Sequence, residues 1–323
     1  MNGNQALSSS AKIPVGISSC LMGHEVRWDG GHKANSYILK TLGEYFDFRP
    51  FCPELDIGLG VPRKPMQLTR HGLNAIHCVS IDDETKDFTP ALCECADSQR
   101  RWHEQLCGYI LKKDSPSCGM AGVKVRGETM SSEDGIGVYA GTMMENFPDL
   151  PVEEEDRLGR PALRENFIQR VFAMARWQKL LELGLSKDRL VDFHARHKLM
   201  IMSHDPGSQR NLQKIVAAMN TENLRENAQE YLSQFMAVLR IPATRSKHVN
   251  VLQYILGHLN GSLDAGEKQQ IIQTIEKYRI GRVSLIAPIT LLSHYVNAHS
   301  DSNISNSWYM DPYPSALRLQ HVS

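Results

Sequence analysis

The chain has 323 residues, 41% of them hydrophobic and 22% charged, which is enough for two domains with cores of their own and ordinary for a globular protein. No stretch approaches 18 consecutive apolar residues, which excludes a transmembrane helix, and residues 1–11 have neither the basic nor the apolar segment of a secretory signal. Net formal charge is zero, yet residues 1–150 carry 15 Lys and Arg against 19 Asp and Glu, while residues 151–323 carry 21 against 17. That offset is compatible with a polyanionic partner for the second half and does not demand one.

Residues 1–11 are polar and small, and a disordered tail is expected there. Residues 13–19 read as a buried strand leading into Cys20-Leu21-Met22-Gly23, and residues 46–51 as a second leading into Cys52-Pro53-Glu54. A third strand is predicted over 73–81, followed by helical spacing over 90–105. Residues 107–113 lead into Asp114-Ser115-Pro116-Ser117-Cys118-Gly119, and glycine-rich turns surround Gly122, Gly135, Gly137 and Gly141. Residues 147–156, with two prolines and four consecutive acids, suit an exposed connection.

Near Arg164 the period changes to that of helices. Helices are predicted over 165–183 (with Gly184 as its stop), 190–203, 212–218, 224–239, 246–259, 264–279 and 285–298. Residues 304–323 show no clear period and are expected to wrap the surface or be loose. The fold expected is an α/β N-terminal domain with a mostly parallel sheet over 12–164, followed by an all-α helical domain over 165–323.

Cys20, Cys52 and Cys118 each sit just beyond a predicted strand. In an open α/β sheet the carboxyl ends of the strands share one edge, where ligands bind, so three distant thiols can meet there. A cytoplasmic, reducing location is expected, in which an odd number of cysteines points to metal or catalytic work rather than disulfides. Three thiolates suit an iron–sulfur cluster with one coordination position left for a substrate. Glu54, two residues beyond Cys52, is placed to take or give a proton. The hydroxyls of Ser115 and Ser117 stand beside Cys118, where they can hydrogen-bond a sulfide or a substrate edge, and Lys112 and Lys113 precede them with charge to offset an anionic centre or meet a substrate. Arg27 is a candidate for a phosphate or carboxylate and Trp28 for a planar base, with Arg63 and Arg70 as further substrate contacts. Cys78, Cys93, Cys95 and Cys107 are expected to be packing residues.

In the helical half, His194, His197 and Lys198 share one predicted helix face. The pair of histidines lacks a third ligand at zinc spacing, and a basic face toward phosphates, joined by Arg210, Arg245, Lys247 and His248, is the reading set against a plain solvated face.

The set Ser19-Cys20-Leu21-x-Gly23, Arg27-x-Asp29-Gly30, Cys52-Pro53-Glu54, Gly60-x-Pro62-Arg63 and Ser115-Pro116-Ser117-Cys118-Gly119 resembles the thiouracil desulfurase family over most of residues 12–160. Trp28 stands where a tyrosine is more usual. Phe193-His194-x-x-x-Lys198 and Lys247-His248-x-Asn250 resemble the helical domain often fused behind it, and the fused pair is similar to bacterial tRNA 4-thiouridine desulfidases. The resemblance implies a 4Fe-4S cluster on Cys20, Cys52 and Cys118, with Glu54 and Ser115 as the catalytic pair. It also implies tRNA containing 4-thiouridine as partner, with no membrane and no DNA. Two alternatives stay open: a desulfurase of free thiouracil, and a cluster-bearing RNA-binding redox sensor that does no chemistry.

Overall fold

The structure, a computed structural model, describes residues 12–71, 75–127, 131–298 and 302–319, so the expected tail over 1–11 and the start of the strand predicted over 73–81 lie outside the described residues. Residues up to Ala175 form one compact unit and residues from Arg176 another, the division falling inside a long helix.

The first unit is built on β1 (Ile13–Ser18), whose Val15 and Ile17 are fully buried. α1 (Ser36–Lys40) follows, with the Asn35 side chain accepting from the Tyr37 and Ile38 N–H groups that would otherwise lack partners. β2 (Phe46–Phe51) pairs parallel with one edge of β1, from Ile13 opposite Phe46 to Ser18 opposite Phe51. The one-turn α2 (Pro53–Asp56) starts at Pro53, where a missing N–H costs nothing. β3 (Met66–His71) and β4 (Ala75–Ser80) run antiparallel, and α3 (Thr89–Ser98) and α4 (Arg100–His103) divide the predicted long helix in two. β5 (Tyr109–Leu111) takes the other edge of β1, parallel to it. Gly16 is what permits that neighbour, because a Cβ there would lie 2.5 Å from the Tyr109 ring.

β6 (Val123–Arg126), β7 (Ser131–Gly135), α5 (Val138–Asn146) and β8 (Val152–Glu154) complete the unit. Two four-stranded sheets result: the parallel β2-β1-β5-β8, and the mixed β4-β3-β6-β7 in which β3 and β6 are parallel and both outer pairs antiparallel. Parallel sheets are covered on both faces, which accounts for the unbroken burial of Tyr109, Ile110 and Leu111.

The acidic stretch is not an exposed connection. Val152, Glu153 and Glu154 form β8 and are buried, because cations meet Glu153 and a backbone N–H meets Glu154. Arg157 donates to Glu153 at 2.5 Å with Arg170 3.8 Å away, the Met120 N–H donates to Glu154 at 2.8 Å, and Lys112 donates to Glu155. Such charges are buried only with partners of this kind.

α6 (Pro161–Glu182) crosses from the first unit into the second, and its Phe167 and Val171 lie against Gly108 just ahead of β5. The second unit continues with α7 (Lys187–His204), α8 (Ser208–Ala218), α9 (Leu224–Arg240), α10 (Arg245–Leu259), α11 (Ala265–Arg279), α12 (Ile286–Ala298), α13 (Ser302–Ser305) and α14 (Ser315–Leu319). Ser186 and Thr244 cap α7 and α10, and Asp264 with Glu267 forms a reciprocal capping box on α11. Trp177, Phe193, Tyr231 and Phe235 interlock as an aromatic core, and α10, α11 and α12 share a second one around Leu252, Ile255 and Ile271. Residues 304–317 belong to this interior: Ile304, Tyr309, Met310, Tyr313 and Leu317 are buried. Its tyrosines, methionine and leucine fill gaps between helices, so no single period marks them in the sequence.

Candidate active site

The parallel sheet decides where the three thiols lie. β2, β1 and β5 are neighbours and point the same way, so the segments leaving their carboxyl ends open on one edge. Cys20 sits in the 3-10 turn Ser19–Met22 after β1, Cys52 is the residue preceding α2 after β2, and Cys118 lies in the turn after β5. All three line one cleft of 1240 Å³ together with Glu54, Ser115, Arg27, Trp28 and Lys112. Brackets on the Cys118 turn come from α5: Gly137 N–H donates to Gly119, Val138 N–H to Pro116 and Ala140 N–H to Ser117, at 2.8, 3.0 and 3.1 Å. Unpaired N–H groups of a helix start are thereby satisfied and the turn is held. Gly137 permits it, since a Cβ there would come within 2.6 Å of the Ser117 and Gly119 backbone.

Burial raises the Cys20 thiol to about 11 against the opposing pull of Lys112 and Arg27. Burial also raises Cys52, and raises Cys118 furthest, with Glu54, Cys52 and Cys20 adding to it. Left alone, such thiols stay protonated and inert. A bound metal removes that barrier by taking the thiolate directly. The donor set fits a polynuclear iron–sulfur group: no disulfide occupies any of the cysteines, and three soft donors open on one cleft from three separate segments. Among the described residues no three His, Cys, Asp or Glu side chains close on a single metal ion. A cluster makes no such demand, because each thiolate binds a different iron.

Glu54 anchors the polar side of the cleft. Its Oε2 accepts from Arg63 Nε at 2.9 Å and also from Nη2, while Arg63 Nη1 and Nη2 donate to the Gly60 and Val26 carbonyls at 3.0 and 2.9 Å. The other carboxylate oxygen, Oε1, accepts from Ser117 Oγ at 2.6 Å, and Ser117 Oγ and Ser115 Oγ are 3.0 Å apart. Arg63, expected to touch substrate, is instead committed to Glu54 and two carbonyls. Nothing local in the sequence pairs these two; only the turn joining α2 to β3 brings residue 63 back onto residue 54. Ser117, also expected as a substrate contact, is fully buried behind the cleft wall.

The remaining cleft residues divide by exposure. Trp28 is 45% exposed and Lys33, Lys124 and Arg126 are exposed, so an indole face and three cations are within reach of a ligand. Arg27 lines the cleft with Asp29 3.5 Å away. Lys112 Nζ donates to Glu155 at 2.5 Å and to the Lys113 carbonyl at 2.8 Å. Arg70 is paired with Asp134 at 2.8 Å. Of the other cysteines, Cys78 and Cys95 belong to the apolar core of the unit and Cys107 is buried; Cys95 Sγ lies 3.2 Å from Asp56 Oδ2.

In the helical unit the expected basic face does not form as such. His197 is fully buried, its Nδ1 donating to the Phe193 carbonyl at 2.7 Å, and His194 is buried and hydrogen-bonded to the Tyr231 hydroxyl at 3.1 Å. Loss of solvation holds His194 down at about 4 and His197 well below the usual histidine value, so both are neutral at physiological pH. Lys198 donates to the Tyr254 hydroxyl at 2.9 Å, Lys247 to the His204 carbonyl, and His248 bonds the Tyr309 hydroxyl at 3.0 Å. Arg245 and Arg210 are exposed, with Arg245 Nη1 also donating to the Tyr278 carbonyl at 3.1 Å. The i, i+3 spacing does put the histidines on one face; the aromatic residues of α9 turn that face inward.

Comparison with known proteins gives this geometry a family. The 2-thiouracil desulfurase family matches residues 15–155, which hold all three cleft cysteines, Glu54 and Ser115, and the family described as a protein of unknown function (DUF1722) matches residues 198–314. The chain is a 2-thiouracil desulfurase domain fused to a DUF1722 domain, and belongs to those families. It is 31% identical over 153 residues to YbgA of Escherichia coli (strain K12), spanning 47% of this chain and 90% of that protein. It is 32% identical over 109 residues to YbbK of Bacillus subtilis (strain 168), spanning 32% of this chain and 71% of that one. Among solved structures it is similar to the [4Fe-4S]-dependent thiouracil desulfidase TudS, at 31% identity and a TM-score of 0.36, covering 46% of this chain and 94% of that one. Among the described residues no helix of the desulfurase-family domain or of the DUF1722 domain is long and apolar enough to cross a membrane.

Proposed function

We propose that the chain is an iron–sulfur-dependent desulfidase that converts 4-thiouridine in tRNA to uridine. The observation that carries the reading is the meeting of three free thiols, two buried and one half-buried, from three adjacent parallel strand ends, with Glu54 and Ser115 in one cleft, the last two joined through Ser117 behind its wall. Cys20, Cys52 and Cys118 would hold a 4Fe-4S cluster, and the group would supply an open iron as Lewis acid and acceptor for the departing sulfur. The exchange of C=S for C=O by water releases hydrogen sulfide and moves no net electrons, so the protein's task is to place water and protons. Arg63 turns Glu54 so that Oε1 remains for a water, whose proton the carboxylate accepts. Ser115 lines the cleft and donates its hydroxyl proton to the thiolated ring. Trp28 offers a face on which a base can stack, and Lys33, Lys124 and Arg126 offer charge to phosphates.

The exposed Trp28 and the Lys33, Lys124 and Arg126 cations on the cleft support a substrate that carries phosphates over a free base. The helical unit is assigned to RNA binding on this reading, through exposed cations such as Arg210 and Arg245 rather than through its buried histidines. Anaerobically reconstituted protein incubated with thiolated tRNA and, separately, with free thiouracil tests it. Sulfide released from the tRNA and not from the free base is the expected result. Release only from the free base replaces tRNA by a thiolated base as substrate, and tRNA binding without release from either makes the chain a cluster-bearing sensor.

A further inference from the structure

Ser117 lies between the two groups assigned to proton transfer, yet it does not reach the cleft. The direction of each hydrogen bond around it follows by elimination. Glu54 Oε1, on a carboxylate paired with Arg63, accepts, so the 2.6 Å contact from Ser117 Oγ uses the Ser117 proton. Cys118 Sγ, 3.5 Å away, is the weaker competitor for it. With its proton spent, Ser117 Oγ can only accept from Ser115 Oγ at 3.0 Å. Ser115 Oγ in turn accepts from the Cys118 and Ser117 N–H groups at 3.1 and 3.4 Å, so both of its lone pairs are taken and its proton is all it has to offer.

We propose that Ser117 is a positioning residue that fixes the polarity of the catalytic pair, committing Glu54 to accept a proton and Ser115 to donate one. Arg63 holds Oε2 and Ser117 takes one lone pair of Oε1, which leaves the second lone pair of Oε1 for a water. Ser115 points its proton at Ser117 until a substrate atom in the cleft offers a better acceptor, and the Ser117 hydroxyl keeps Ser115 from turning around. Without Ser117, Oε1 is free to take the Ser115 proton directly or to rotate, and the two groups lose their division of labour. The inference rests on the desulfidase reading and goes beyond it, since it concerns a residue that never meets the substrate.

The experiment is a double-mutant cycle on reconstituted full-length protein, with sulfide release from thiolated tRNA as the assay and with iron content and melting midpoint measured on every variant. Ser117→Ala is expected to lower kcat about 10- to 100-fold with KM within about twofold, the scale set by misplacing a catalytic group by an ångström or less. In a Glu54→Gln background the same change is expected to cost less than about threefold, because the partner it serves is already gone. Iron content is expected to match the wild type in all variants. A kcat within twofold of wild type for Ser117→Ala overturns the inference, as does an equal loss in both backgrounds or a loss that tracks iron content. Iron-loaded wild-type protein that releases no sulfide overturns the desulfidase reading itself, and this inference with it.

Discussion

The two units treat their polar side chains in opposite ways. In the α/β unit, Glu54 and Ser115 are anchored from behind, by Arg63 and Ser117, and present their free valences to a cleft. In the helical unit, the motif residues His194, Lys198, Lys247 and His248 all end on tyrosine hydroxyls or a carbonyl of other segments of the unit. The first arrangement leaves capacity unspent at the surface and is what chemistry needs. The second uses its capacity up in joining α7 to α9 and α10, and α10 to Tyr309. A motif in the sequence therefore carries different meaning in the two halves: in one it marks a site, in the other a seam.

The largest expected effect breaks the site without breaking the fold. Glu54→Gln should lower kcat for sulfide release by about 10²- to 10⁴-fold, the usual range for loss of a proton-transfer group, with the melting midpoint close to wild type. A kcat within fivefold of wild type would remove Glu54 from the mechanism. The converse change breaks the seam without touching the site. Phe235, fully buried between Phe193 and Tyr231, should cost about 3–5 kcal/mol of helical-unit stability when replaced by Ala, measured by chemical denaturation. A cost below about 1 kcal/mol would mean that the aromatic core is not what holds α7 to α9.

Acid sharpens the same contrast. His194 and His248 are held at about 4 by burial, below the value near 6.5 that they regain on unfolding. The unfolded chain therefore binds protons first as pH falls, and the helical unit loses stability progressively from about pH 6.5 down to about pH 4, with the loss complete below that window. Unfolding midpoints recorded from pH 7.5 to 4 should decline across it, and less so in a His194→Gln variant. An unchanged midpoint would show that these histidines are solvated. The smallest effect is on RNA. Lys198→Met and Lys247→Met should each lower stability by about 1 kcal/mol through removal of a hydrogen bond, yet change tRNA affinity less than twofold. By comparison, Lys124→Ala or Arg126→Ala at the cleft should weaken tRNA binding and reduce its log–log salt slope by about 0.9 for each duplex phosphate no longer neutralised. A fall in the slope with Lys198→Met instead would return the basic face to the helical unit.

Much of the site was legible because its logic is local. Each cleft cysteine follows a run that reads as a strand, buried for β1 and β5 and half-exposed for the edge strand β2, and parallel strands deliver their ends to one edge. What escaped the sequence depends on partners supplied from elsewhere in the fold. Glu153 and Glu154 look like a solvated acidic run until Arg157, Arg170 and the Met120 N–H make a buried strand of them. Arg63 looks like a substrate contact until the return of its loop gives it Glu54. His194 and His197 do lie together, but which way a helix face turns is decided by the residues packed against it, here Tyr231 and Phe235. The long helices α6 to α12 lie within a few residues of their predicted bounds, with Asp264 as the cap of α11, because capping and period are written in neighbouring positions.

Everything proposed for the cleft depends on Cys20, Cys52 and Cys118 serving one iron–sulfur group. Iron and acid-labile sulfide, counted per chain after anaerobic reconstitution of the single Cys→Ala variants at all seven cysteines, test this most directly. The account predicts near-complete loss of both in Cys20→Ala, Cys52→Ala and Cys118→Ala, and wild-type loading in the Cys78, Cys93, Cys95 and Cys107 variants. Wild-type loading in any of the first three, with the chromophore intact, would contradict it.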